Sequence, residues 1–183
     1  MQKKGVSPVI ETVMLILLTI AAVGIIAGFL IPFVKNSLTD STTCFSYRDY
    51  FKFEQEFGYN CYAPGSNGTN YLHAVSVRAG SDSSKGEDIK GFELVFMKAG
   101  SSTKKSIVKE QLVNLESGGI RMLDKTKTTL ATPQSGEMRT YVLNAGEDIY
   151  KGVEVYPVLQ TGKVCDMSDK IELTACRIDM PIG

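Results

Sequence analysis

The chain has 183 residues, room for one ordinary domain of roughly 100–150 residues plus one appendage, so two soluble domains would be cramped. Twenty acidic residues balance twenty basic ones. With no global field to gather nucleic acid or an anionic membrane surface, the composition argues against a nucleic-acid binder.

The first eleven residues read Met1-Gln2-Lys3-Lys4-Gly5-Val6-Ser7-Pro8-Val9-Ile10-Glu11, and the next 23, Thr12 to Val34, carry no charge. A helix of that length reaches about 35 Å and spans a bilayer core of about 30 Å with modest tilt. A cleaved secretory signal is the rival, but its apolar core is shorter, about 7–15 residues, and ends at a small-x-small site. Here the small residues Ala21, Ala22, Gly24, Ala27 and Gly28 lie inside the run, which continues through Phe29-Leu30-Ile31. Lys3 and Lys4 precede the span on a very short arm, against a lone Lys35 with Asp40 after it. The positive-inside rule therefore puts the N-terminus in the cytoplasm and the bulk of the chain outside.

Within this stretch Ser7 is a natural N-cap, and Pro8 suits a first helical turn, where its missing N–H would be unpaired anyway. Glu11 stands at the edge of the span, where a carboxylate costs less than the ~2.5–3.5 kcal/mol of a helix centre and is favoured by the helix dipole. Gly24 and Gly28 form a small-xxx-small pair that lets apolar helices approach closely in lipid, although glycine is also common in spanning helices without that duty. Pro32 is placed to kink or loosen the last turns.

A basic leader and a glycine standing before the apolar helix, followed by Val6-Ser7-Pro8-Val9-Ile10, resemble the N-terminal signature of archaeal type IV pilins. The resemblance covers about thirty residues at one end of the chain. It implies cleavage between Gly5 and Val6 by a prepilin-type membrane aspartyl peptidase, removing residues 1–5 and leaving the helix, residues 6–38, on the mature protein. It further implies that Glu11 neutralises the free amine of Val6 on a neighbouring subunit during assembly. Counted from Val6, Glu11 is sixth rather than at the fifth position familiar in bacterial relatives, so the pairing geometry differs. Archaellins carry a glycine-rich mature start, which ranks a pilus above a swimming filament.

From about Thr39 onward, aromatic and β-branched runs alternate with glycine-containing polar turns. Leu72–Arg78, Gly91–Lys98, Arg139–Leu143 and Gly152–Leu159 read as half-buried antiparallel strands, separated by turn material at 79–86, 99–102 and 144–148. The expected fold class is α+β, a long helix followed by an all-β extracytoplasmic domain over residues 39–183. Six to eight strands there suit an immunoglobulin-like β-sandwich. Four cysteines, Cys44, Cys61, Cys165 and Cys176, read as two disulfides in an oxidising compartment. Zinc is the alternative, but no C-x-x-C knuckle is present. Of three possible connectivities the local one, Cys44–Cys61 with Cys165–Cys176, is preferred because each bridge closes a short segment.

Phe45, Tyr47, Tyr50, Phe51, Phe53, Phe57 and Tyr59 crowd the segment between the first two cysteines. Burial in the core is favoured over an adhesive or subunit-contact surface. Asn67-Gly68-Thr69 is an N-glycosylation acceptor in a loop. His73, the sole histidine, falls inside a strand pattern and reads as structural. No phosphate loop or nucleophile elbow is visible, so no catalytic residue, cofactor or metal is expected.

Together these readings point to a structural subunit of a type IV pilus-like surface filament, single-pass in the membrane before assembly and serving adhesion. The resemblance implies as partners identical or related pilin subunits, prepilin peptidase, an assembly ATPase and a membrane platform protein, with the membrane and without nucleic acid. The alternative is a permanently anchored extracellular binding protein that never polymerises; an extracytoplasmic enzyme ranks last.

Overall fold

A computed structural model describes residues 8–66 and 68–177. The chain divides into two compact units, residues 1–43 and 44–183. The first is dominated by α1, Pro8–Phe45, which runs unbroken through Pro32. The helix is therefore longer than the expected 6–38. Thr39-Asp40-Ser41-Thr42-Thr43 has poor helix propensity, but extending a formed helix needs no new nucleus.

The second unit is mostly β, ten strands in two sheets among the described residues. In the first sheet β2 (Cys61–Pro64), β3 (Tyr71–Ala79), β7 (Met138–Asn144) and β6 (Ile120–Met122) lie side by side. β1 (Phe51–Phe53) pairs with the far end of β3, and the two-residue β10 (Thr174–Ala175) adds to β2 in parallel. In the second sheet β5 (Ser101–Val108), β4 (Ile89–Lys98), β8 (Gly152–Leu159) and β9 (Asp169–Glu172) follow one another, all antiparallel. A short α2, Ser83–Glu87, interrupts the stretch expected to be loop, with Asp82 as its N-cap accepting from the Ser84 N–H.

Alternation explains which face goes inside. Along β4, Phe92, Leu94 and Phe96 are buried while Glu93 between them reaches an ion pair with Lys104. Successive strand side chains point to opposite faces, so these three rings and branches line one side. They meet Val75, Val77, Tyr141 and Leu143 of the first sheet in one core. Aromatic rings bridge the two sheets there: Phe51 to Phe92 at 4.8 Å between centroids and Phe92 to Tyr141 at 5.4 Å, the latter edge-on. Such tilted and edge-to-face pairs add about 0.5–1.5 kcal/mol each beyond area burial.

The central strand β3 is buried on both faces. Behind the main core, Ala74 and Val142 form a second small cluster covered by Leu72, Leu123 and Cys176. The polar pair on that side, Ser76 and Thr140, is satisfied by a hydroxyl–hydroxyl bond of 2.7 Å. Burial of every residue from His73 to Val77 is what a strand covered on both faces shows.

Gly91 sits at the register irregularity between β4 and β8. A Cβ there would collide with the Ile107 carbonyl of the paired strand. The β4–β5 ladder thus requires bare backbone at this point, and Gly91→Ala is expected to lower unfolding stability by about 1–3 kcal/mol. Denaturation of the full chain in detergent, followed by near-UV circular dichroism, measures it; an unchanged midpoint would contradict the close approach.

Candidate functional site

Two features carry the functional expectations, the apolar helix and the disulfide-tied entry to the head. On α1, 17 large apolar side chains from Val9 to Val34 are 47–75 % exposed. Burying such a side chain is worth roughly 1.5–3 kcal/mol, so covering this surface is worth on the order of 25 kcal/mol or more. That exceeds the whole stability of an ordinary domain, and no isolated chain leaves it in water.

The helix is built for an apolar solvent in a second way. As an α-helix it pairs most of its backbone N–H and C=O groups internally, as hydrocarbon demands, although Pro32 supplies no N–H to the Gly28 carbonyl. The two hydroxyls of the uncharged run are also internalised: Thr12 Oγ1 donates to Val9 O at 3.0 Å and Thr19 Oγ1 to Ile16 O at 2.8 Å. Sequence reading passed over these threonines; their polarity inside the run was the available signal. Phe29 and Phe33, one turn apart, stack with centroids 6.3 Å apart and ring planes within 8°. The stretch Val9–Lys35 is long and apolar enough to cross a membrane.

Glu11 lies in the first turn of α1, and Gly24 and Gly28 stand one turn apart in its middle. A Cβ added at either glycine meets nothing within 4 Å, so neither is glycine for any reason internal to the described chain. Gly5 and Val6 lie outside the described residues, as does Asn67.

All four cysteines are oxidised, but the local pairing expected from sequence is wrong. The bonds are Cys44–Cys165 and Cys61–Cys176, spanning 121 and 115 residues with Cα atoms 5.1 and 5.0 Å apart. Loop length favoured short bridges, yet the sheet decides. β10 lies parallel to β2 with Thr174 opposite Cys61, and the Cys176 N–H donates to Tyr62 O at 3.0 Å, which carries Cys176 to the side of Cys61. Cys165 is fixed by donating its N–H to Pro157 O at 2.8 Å, and Cys44 is buried in the final turn of α1. Bridges closing loops this long each constrain the unfolded chain by about 4–5 kcal/mol in the chain-entropy picture. With every thiol engaged, the zinc alternative has no cysteine ligands, and no group of three or more His, Cys, Asp or Glu among the described residues is placed to hold a metal.

The aromatic segment after Cys44 divides. Tyr47, Tyr50, Phe51 and Phe53 are buried, in line with the core reading, whereas Phe45 and Phe57 are exposed. Tyr47 donates to Asp88 Oδ2 at 2.7 Å; burial and then that carboxylate push its pKa up to about 12. The outer edge of β1 is closed by side chains rather than by a strand. Phe51 N–H donates to Ser168 Oγ at 3.0 Å and Phe53 N–H to Asp169 Oδ2 at 2.8 Å. These contacts fasten the first residues of the head to the connection entering β9, and nothing in the sequence announced them.

His73 is fully buried, stacked on Tyr62, and its Nε2 accepts from the Tyr150 N–H at 2.9 Å. Its Nδ1 is buried without a partner. Burial pushes its pKa down to about 4, so the ring is neutral in the fold and serves as a backbone acceptor. No family model matches the sequence, and no curated protein is similar to it.

The unfolded histidine titrates near 6.5 and the folded one near 4. Above pH 6.5 both states are neutral and this contribution is fully present. Between pH 6.5 and about 4 only the unfolded chain gains the proton, so stability falls with pH, by up to about 3 kcal/mol. Denaturation midpoints recorded across that range are expected to show this slope, and His73→Gln, which keeps an acceptor for Tyr150, is expected to flatten it between pH 6.5 and 5. An equally steep profile in the variant would contradict the assignment.

Proposed function

We propose that the chain is the precursor of an archaeal type IV pilin-like filament subunit, major or minor, whose helix first lies in the membrane and then packs with other copies in a filament core. The observation that carries this reading is an apolar helix left uncovered along its length, with Gly24 and Gly28 open on their surroundings. The Lys3-Lys4-Gly5-Val6 leader supplies the independent, sequence-level support. In this reading prepilin peptidase cuts between Gly5 and Val6, an ATPase and platform protein drive extraction, and Glu11 meets the new amine of Val6 in a neighbour. The head faces the outside, in agreement with its two disulfides, and Asn67 carries a glycan there. Two sheets closing on one core support an immunoglobulin-like sandwich for this head, which serves adhesion.

The glycines give the sharper test, because a Cβ added at either meets no atom within 4 Å beyond its chain neighbours and the adjacent helix backbone. Gly28→Ile is expected to leave the head folded and the protein processed to begin at Val6, while filaments on the host surface disappear. Mass spectrometry of the native N-terminus and electron microscopy of the cell surface read the two arms. An intact Lys3-Lys4 leader on the native protein, or undiminished filaments in the variant, would overturn the reading in favour of a permanent anchor.

A further inference from the structure

We propose that the head holds a binding site for acidic saccharides, in a cleft between the β2–β3 turn, β6 and the loops flanking β6. The cleft encloses about 510 Å³, inside the ~300–1,000 Å³ typical of small-ligand sites. Its charge is one-sided. Arg121, Lys125 and Lys127 line it, and among the described residues no aspartate or glutamate does. In a chain whose charges cancel overall, three cations gathered on one concavity focus a field that attracts anions. Two acids adjoin the lining in sequence, the exposed Glu116 beside Leu115 and Asp124 beside Lys125; Asp124 is turned to its own loop, accepting from the Thr126 N–H at 3.0 Å and from Thr126 Oγ1 at 2.7 Å.

The remaining lining selects among anions. Asn70, Asn114 and Asn144 contribute amides, and Leu72, Val113 and Leu115 contribute apolar surface. The amides are held in place. Asn144 Oδ1 accepts from Asn70 Nδ2 at 3.5 Å and from the Gly146 N–H at 3.3 Å, its Nδ2 donates to Leu115 O at 3.2 Å, and Asn114 Oδ1 accepts from the Glu116 N–H at 2.8 Å. Arg121 is likewise anchored, its Nη1 donating to Met122 O at 2.9 Å. A guanidinium held in place presents a fixed positive charge to an anionic group. An amide both donates and accepts, as a sugar hydroxyl does, and Leu115, largely exposed at the site, offers an apolar wall to the C–H face of a pyranose ring. Inorganic phosphate or a nucleic-acid backbone would use the cations and leave the amides and the leucines idle. The site belongs to the head alone and is independent of polymerisation.

Calorimetric titration of the full chain in detergent micelles tests this with sialyllactose and trigalacturonic acid as probes, against lactose, inorganic phosphate and a short oligodeoxynucleotide. At least one acidic sugar is expected to bind at least about tenfold more tightly than lactose or phosphate, the worth of one charge-assisted contact. The double variant Lys125→Gln/Lys127→Gln changes two exposed side chains and leaves folding intact; it is expected to weaken that binding by about tenfold or more, and Arg121→Gln by at least as much. Lys170→Gln, remote from the cleft lining, is expected to change nothing. Absence of binding by both acidic sugars, binding of lactose, phosphate or DNA as tight as theirs, or unchanged affinity in the double variant would each overturn the site.

Discussion

An apolar helix with its large side chains exposed is the constraint on which everything else depends. Its backbone is largely paired within the helix, Thr12 and Thr19 bond to its own carbonyls, and its large apolar side chains are exposed on the order of half or more. Only lipid or other apolar helices can take such a surface, since water would charge far more than a domain's net stability for it. The head has its own means of stabilisation, to which the last turn of α1 contributes Cys44. It has its own two-sheet core, its own bridging rings and two long-range disulfides, the first of which begins at Cys44, where the compact unit itself begins.

The disulfides and the β1 edge bonds act on the same place. Cys44 joins Cys165, Phe51 and Phe53 donate to Ser168 and Asp169, and Cys61 joins Cys176. The chain entering the head is thereby fastened to the chain about to leave it. A domain closed in this way resists unravelling from either end, because opening it first requires covalent or buried polar contacts to yield. That property suits a protein displayed outside the cell, whether anchored singly or in a filament.

Much of this was legible in the residues. The uncharged run announced the helix, and runs of aromatic and β-branched residues announced β3, β4, β7 and β8 to within a residue or two, although β3 proved buried on both faces rather than half-buried. Pairing of the cysteines was not legible: it depends on β10 lying beside β2, a contact between segments more than 100 residues apart that no local spacing encodes. β5 was missed because Ser101-Ser102-Thr103-Lys104-Lys105 exposes most of its side chains as an edge strand and so lacks an apolar alternation. The short β1, β6 and β9 were missed since three or four residues cannot display a period. The cationic cleft was also beyond reach, since Asn70, Arg121 and Asn144 come from different strands and loops that only the sheet brings together.

Helix and head thus present different surfaces: one is apolar and exposed, and the other belongs to an oxidised domain with its own core. Purified surface filaments from the native host, with their subunits identified by peptide mass, put the central claim to its most direct test. The expected result is this chain, beginning at Val6, as a constituent of the filament. Finding it only in the membrane fraction, with filaments present and free of it, would contradict a polymerising helix.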